Sequence, residues 1–203
     1  MLDALIIDLP PKVIAAETSE RDRVLTAITL GFSADPVARW IWPDAQIYLD
    51  SMPRFAQAFG GRAIDAGTAF VTEGFCAASL WLPPGTEPDA HTIEQILGET
   101  VRPEISNDLE TMFAQMDENH PDRPHWYLPM IAADPHFIGR GHGAAILKHV
   151  LRTCDQSGTV AYLESSNLRN ISLYLRFGFE TIGEIAPGDA PPMYPMIRQP
   201  RPI

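Results

Sequence analysis

Residues 125–148 read His-Trp-Tyr-Leu-Pro-Met-Ile-Ala-Ala-Asp-Pro-His-Phe-Ile-Gly-Arg-Gly-His-Gly-Ala-Ala-Ile-Leu-Lys. The first part, Trp126 to Ala133, is an apolar and aromatic run with the character of a buried strand. Asp134-Pro135 stops it, because proline excludes the preceding residue from the α region and has no amide proton for a ladder. Gly139, Gly141 and Gly143 then alternate with other residues. Beyond them Leu147, Val150, Leu151 and Cys154 fall on one helical stripe. The stretch predicts a strand, a short loop, a glycine-rich turn and a helix N-terminus.

Such a turn is a cradle for an anion. Glycine permits positive φ and lets another molecule approach the backbone closely. The first amides of a helix have no partner inside it, and the helix dipole adds partial positive charge at that end. A phosphate or pyrophosphate is the natural guest, and Arg140, His142 and Lys148 are expected to add positive charge. A nucleoside triphosphate loop would need Lys-Ser/Thr after its last glycine, whereas Ala144-Ala145 follow Gly143. Gly139-x-Gly141-x-x-Ala144, with Glu164 twenty residues further on, does satisfy the dinucleotide pattern. In that pattern the strand runs straight into the first glycine. Here Asp134 to Ile138 intervene, and no βαβ repeat surrounds them.

The segment Ile138-Gly139-Arg140-Gly141-His142-Gly143 resembles the coenzyme A motif of the GNAT N-acetyltransferases, Gln/Arg-x-x-Gly-x-Gly/Ala after a strand and short loop. Ile138 departs from the pattern, standing where the family has Gln or Arg. The resemblance continues through Glu164, Asn170, Tyr174 and Gly178-Phe179, and more loosely over the whole chain. It implies a GNAT-like acyl-CoA N-acyltransferase fold. The Trp-Tyr-Leu strand and Trp81-Leu-Pro-Pro-Gly85 also resemble the antibiotic-modifying, puromycin-acetyltransferase-like branch.

At 203 residues, with 45% apolar and 20% charged residues, the chain suits one domain with a full core. No apolar run is long enough to span a membrane. Met1 to Leu9 carries Asp3 and Asp8 and lacks the basic start of a secretory signal. Cys76 and Cys154 both lie in apolar segments and read as reduced core residues of a cytoplasmic protein. A formal net charge of −11 argues against sequence-independent binding of nucleic acid or anionic membranes. It is compatible with an amine substrate, although solubility alone accounts for it. No cysteine or histidine spacing suggests a metal site.

Outward from the glycine turn, the pattern predicts the order β-α-α-β-β-(α-α)-β-α-β-α-β-β. Lys12–Ala16 is the first strand, and Ser19-x-x-Asp22 resembles a capping box for the helix that follows. Residues 32–43 read as an aromatic loop, and Pro43 as the opening of a second helix. Thr68–Thr72 and Phe75–Leu82 form a hairpin about Glu73-Gly74. Two helices between about 92 and 124 form an insertion. After the glycine turn come a helix, a strand over Thr159–Glu164, a helix over Asn170–Phe177, and strands over Phe179–Ile185 and Met193–Arg198. Pro195 marks the last as an edge strand. This is a mixed α/β (α+β) chain with a mostly antiparallel sheet and helices on both faces.

The resemblance also implies roles. Acetyl-CoA would be the donor, with no metal. Its pantetheine arm would lie along Ile131, Ala132 and Ala133, and its pyrophosphate on Ile138, Gly139, Arg140, Gly141, His142, Gly143 and Ala144. Asn170 would bond the cofactor arm, and Tyr174 would protonate the departing thiolate. Glu164, at the end of its strand, is a candidate general base, and equally a structural carboxylate paired with Arg169. Glu73 and His125 are weaker candidates for the base. Trp40, Trp42 and Trp126 are candidates for the acceptor wall or for core packing. The implied partner is a small-molecule amine, with the protein a monomer or homodimer. The alternative is a degenerate GNAT module that holds acyl-CoA without catalysis.

Overall fold

The computed structural model describes residues 10–202, so the expectation for Met1 to Leu9 lies outside the described residues. The strand predicted from the central stretch, β4 (His125–Ala133), is the middle strand of a seven-stranded sheet. Its side chains feed two cores. Tyr127, Met130 and Ala132 face one side of the sheet; Leu128, Ile131 and Ala133 face the other.

Strand order is β1 (Val13–Ala15), β2 (Ala69–Thr72), β3 (Ala77–Leu82), β4, β5 (Val160–Ser165), β7 (Tyr194–Arg198), β6 (Glu180–Thr181). Only β4 and β5 pair in parallel. On one face lie α1 (Arg21–Gly31), α2 (Pro36–Ile41), α3 (Ala45–Gly60), the single turn α4 (Arg62–Asp65), α5 (Ala90–Thr100) and α6 (Ser106–Asn119). On the other lie α7 (His142–Ser157) and α8 (Leu168–Arg176). The predicted mixed sheet covered on both faces, with a helical pair between the third and fourth strands, is what the chain forms.

Three local expectations need correction. The box before α1 is made by Glu17 and Glu20, not Ser19 and Asp22, and it caps the short turn Thr18–Glu20 that leads into α1: the Glu17 amide donates to the Glu20 carboxylate at 3.1 Å. The 32–43 segment contains a helix, α2, because the Asp35 carboxylate accepts from the Val37 and Ala38 amides at 3.0 and 3.1 Å and Pro36 occupies the first helical position. Finally, β7 is interior, with β5 on one side and β6 on the other. Pro195 is tolerated because its carbonyl, which accepts from the Ile182 amide, points towards β6. Its missing N–H faces that same side, where the two-residue β6 ends.

Two features of β4 shape the site. Its register with β3 shifts, Leu80 pairing with Met130 but Leu82 with Tyr127, so an extra residue bulges at Leu128–Pro129. Its ladder with β5 holds only for His125–Val160, Trp126–Ala161 and Tyr127–Tyr162. Beyond Tyr127, β4 stays with β3 through Ala133, and beyond Tyr162, β5 stays with β7 through Ser165. The two strands part and leave a wedge in the middle of the sheet. The end of α1 closes over β4 there: a Cβ on Gly31 would lie within 3 Å of Ala132 and the Ala133 carbonyl, so only glycine allows this approach.

Candidate active site

The glycine turn sits at the wide end of the wedge, separated from the end of β4 by Asp134 to Ile138, which include the short helical turn Pro135–Phe137. Gly139 and Gly141 have φ of 80° and 82°, a conformation that other residues adopt only under strain. Gly141 is the N-cap of α7 and has no side chain to bond the first turn. The first bond into the helix from this end runs from the Ala145 amide to the Gly141 carbonyl, so the amides of His142, Gly143 and Ala144 precede it. A Cβ built on Gly139 or Gly141 would meet no atom within 4 Å. The turn therefore exposes backbone amides to open space at a positive helix end, which fits a pyrophosphate.

The side chains around the turn divide into two kinds. Arg140 is exposed, its guanidinium 5.3 Å from the Phe137 ring centroid, so the charge is available to a phosphate. His142 points inward, with Nδ1 2.9 Å from the hydroxyl of the buried Thr72. Partial burial and the neighbouring Arg140 lower its pKa below the ordinary histidine value of 6.5. It is neutral at pH 7 and anchors the turn to β2, rather than adding the positive charge expected of it. Ile138 is 67% exposed, its side chain pointing away from the core.

Two carboxylates and one phenol border the wedge. Tyr174, on α8, belongs to the core on the α7–α8 face. Burial first, and then the charge of Asp35, raise its pKa above the ordinary value of 10, so it is firmly protonated. Asp35 reaches this neighbourhood because its second oxygen accepts from the Ser166 hydroxyl at 2.6 Å, linking the start of α2 to the loop after β5. Burial raises the Asp35 pKa against the lowering effect of those hydrogen bonds. Asn170 is exposed one turn before Tyr174, at the outer rim, and the N-cap of α8 is Asn167.

Glu164 lies on the opposite face of β5 from Tyr174, since it alternates with Leu163 and shares the side of Tyr162. Its side chain is 2% exposed, and Oε1 is 3.2 Å from Nε2 of His120, just beyond the end of α6. Arg169, the partner considered from sequence, is not its neighbour in any ion pair among the described residues. Tyr127 and Tyr162 lie beside this carboxylate, and burial followed by its charge raises both phenol pKa values. The His120 ring completes the group, with centroids 4.6 Å from both tyrosine rings and 5.4 Å from His125. His120 was singled out by no spacing pattern in the sequence; only the return of α6 to the wedge brings it there.

The three tryptophans do not form one wall. Trp42 is 1% exposed, packs edge-on to Phe55 and donates its indole N–H to Thr100 at 2.9 Å, so it is a core side chain. Trp40 is half-buried against the same core. Trp126 packs on the α7 side of the sheet, away from His120. Glu73 sits in the β2–β3 turn and is exposed.

A parallel pair that splits, with a left-handed glycine turn at its wide end, leaves a wedge that ends at the free amides of a helix N-terminus. Residues 111–179, about a third of the chain, match the family model for the Acetyltransferase (GNAT) family. The chain is 30% identical over 99 residues to an uncharacterized N-acetyltransferase of Schizosaccharomyces pombe, an alignment spanning 47% of this chain and 38% of that protein. The matched segment thus covers less than half of that relative. Among solved structures, the fold is similar to a Corynebacterium glutamicum protein described as histone acetyltransferase HPA2 and related acetyltransferase. The TM-score is 0.68 at 23% identity, covering 95% of this chain and 98% of that one. It is also similar to a Drosophila melanogaster polyamine N-acetyltransferase that forms N-acetylagmatine, with a TM-score of 0.63 at 14% identity over 93% and 99% of the two chains. Among the described residues no helix is long and apolar enough to cross a membrane.

Proposed function

We propose that the protein transfers an acetyl group from acetyl-CoA to the primary amine of a small molecule. The observation that carries this reading is the wedge between β4 and β5 with unpartnered amides at its wide end. When bound, acetyl-CoA supplies an acyl thioester, an activated carbonyl with a thiolate as leaving group. The amides of the 139–144 turn and Arg140 hold its pyrophosphate, and the edge of β4 over Ile131–Ala133 holds the pantetheine arm.

The chain's own groups then divide the proton work. Glu164, on one face, receives the proton that the amine must lose before it can attack, with His120 in contact to share it. Tyr174, on the other face, holds a proton for the departing sulfur, and its raised pKa keeps that proton in place at neutral pH. Base and acid on opposite sides of one strand suit direct attack, since the amine arrives from one side and the sulfur leaves towards the other.

Melting of the purified protein with acetyl-CoA, with NAD+ and ATP as controls, tests the binding half of this reading. A ligand of the folded state at a hundredfold its Kd stabilises by about 2.7 kcal/mol. Stabilisation by acetyl-CoA alone supports the proposal. Stabilisation by NAD+ alone would return the glycine turn to a dinucleotide site.

A further inference from the structure

The glycine turn has little in itself to hold its shape. Gly139, Gly141 and Gly143 have the most backbone freedom to lose, and the N-cap Gly141 has no side chain to bond the first turn of α7. What fixes the turn comes from far away in the chain. The segment that joins β2 to β3, residues 72–76, is bonded on either side of the glycine stretch. Before it, the Asp134 amide donates to the Cys76 carbonyl at 2.9 Å. After it, Nδ1 of His142, the first residue of α7, lies 2.9 Å from the Thr72 hydroxyl.

These moorings are themselves held. Thr72 is fully buried and pairs with Val13 of β1. His142 is the one partner of its hydroxyl among the described residues, so turning the first residue of α7 away from β2 would strand a buried polar group. The Phe137 ring meets the His142 ring edge-on, with centroids 5.7 Å apart, and steadies it from the loop side. Between the moorings lies Phe75, the one non-glycine residue with positive φ among the described residues, at 60°. The Arg23 guanidinium covers its ring, 3.8 Å from the centroid. A backbone of that kind persists only where its surroundings impose it.

We propose that Thr72 is a positioning residue for the cofactor: through His142 it fixes the direction of the amides of residues 142–144 and so sets the affinity for the pyrophosphate of coenzyme A. This deepens the acetyltransferase reading and rests on its placement of the pyrophosphate. The pantetheine arm does not depend on this anchor, because residues 131–133 of β4 are held by their ladder partners Ser79, Ala78 and Ala77 in β3. A cradle ordered before binding loses less freedom when the ligand arrives, which is how an anchor outside the site raises affinity. Removing one hydrogen bond of this kind corresponds to about a three- to tenfold change.

The test measures the affinity of CoA calorimetrically, and that of pantetheine, which lacks the pyrophosphate, by its displacement of bound CoA. Thr72→Val keeps the buried shape and removes the hydroxyl, and Thr72→Ser restores it. The wild type should bind CoA more tightly than pantetheine. Thr72→Val and His142→Phe should each weaken CoA about three- to tenfold and leave pantetheine unchanged. The double variant should bind no more weakly than either single one, since the same bond is lost in all three, and Thr72→Ser should bind CoA as the wild type does. CoA affinity unchanged in Thr72→Val, or lowered equally for both ligands, would overturn the positioning role and leave the cradle in place. A wild type that binds CoA no more tightly than pantetheine would remove the cradle itself.

Discussion

Substituting alanine for Gly141 separates what the glycine turn does for folding from what it does for the cofactor. Gly141 adopts φ 82° and ψ 1° at the N-cap of α7, and a Cβ there would meet no protein atom. The folding cost is therefore backbone strain alone, about 1–2 kcal/mol, or a drop of about 2–8 °C in Tm for a chain of this size. Gly158 is the matched control: it caps the other end of α7 with φ 64°, again with nothing near its Cβ. Gly158→Ala should lose similar stability and keep its affinity for acetyl-CoA. Gly141→Ala should in addition weaken acetyl-CoA binding about 10- to 100-fold, because a methyl group above the first amides displaces a charge-assisted hydrogen bond worth about 1.5–3 kcal/mol. Calorimetric titration of both variants, with melting curves, reads the two effects apart. If Gly141→Ala binds acetyl-CoA as Gly158→Ala does, the turn is not the phosphate cradle.

Tyr174→Phe should lower kcat about 10²- to 10⁴-fold and leave the KM for acetyl-CoA nearly unchanged, since it removes a proton donor and no binding group; steady-state kinetics decide this, and a loss confined to KM would contradict the acid role. The buried Arg198 donates two bonds to Asp155, at 2.8 and 2.9 Å, and a third to the Phe177 carbonyl. Asp155→Asn leaves that guanidinium uncompensated and should cost about 3 kcal/mol in denaturant unfolding. The same pair has a pH signature. The Arg198 bonds hold the Asp155 pKa below the ordinary value of 3.8, so the folded form binds the proton less readily than the unfolded one. Its stabilisation is complete above about pH 4 and is lost as pH falls through the lower folded value. Asp155→Asn should therefore flatten the acid side of the stability profile, and an unaltered slope would count against the pairing.

The parts legible in the sequence are those written in local chemistry. A strand ended by Asp134-Pro135 and followed by alternating glycines specifies its own backbone, and the alternation appears as two left-handed residues at a helix N-terminus. The helical pair of residues 90–119 followed from apolar spacing. What escaped was set by distant neighbours. Pro195 argued for an edge strand, yet β7 is interior because only one side of that residue lacks a full ladder. Trp42 was open to both core packing and an acceptor wall from sequence, and the choice is made by Thr100, from α5, which takes up its N–H inside the core. The grouping of Glu164 with His120, Tyr127 and Tyr162 joins β5, the end of α6 and β4, and no spacing along the chain encodes that meeting.

The central claim is acetyl transfer to an amine, and the most direct measurement is release of free thiol from acetyl-CoA by the wild-type protein with and without primary amines. The account predicts thiol release that requires the amine, saturates with it and yields an N-acetylated product. Stabilisation by acetyl-CoA with no amine-dependent thiol release, across cationic and neutral amines alike, would contradict it and identify the chain as a module that binds acyl-CoA without turning it over.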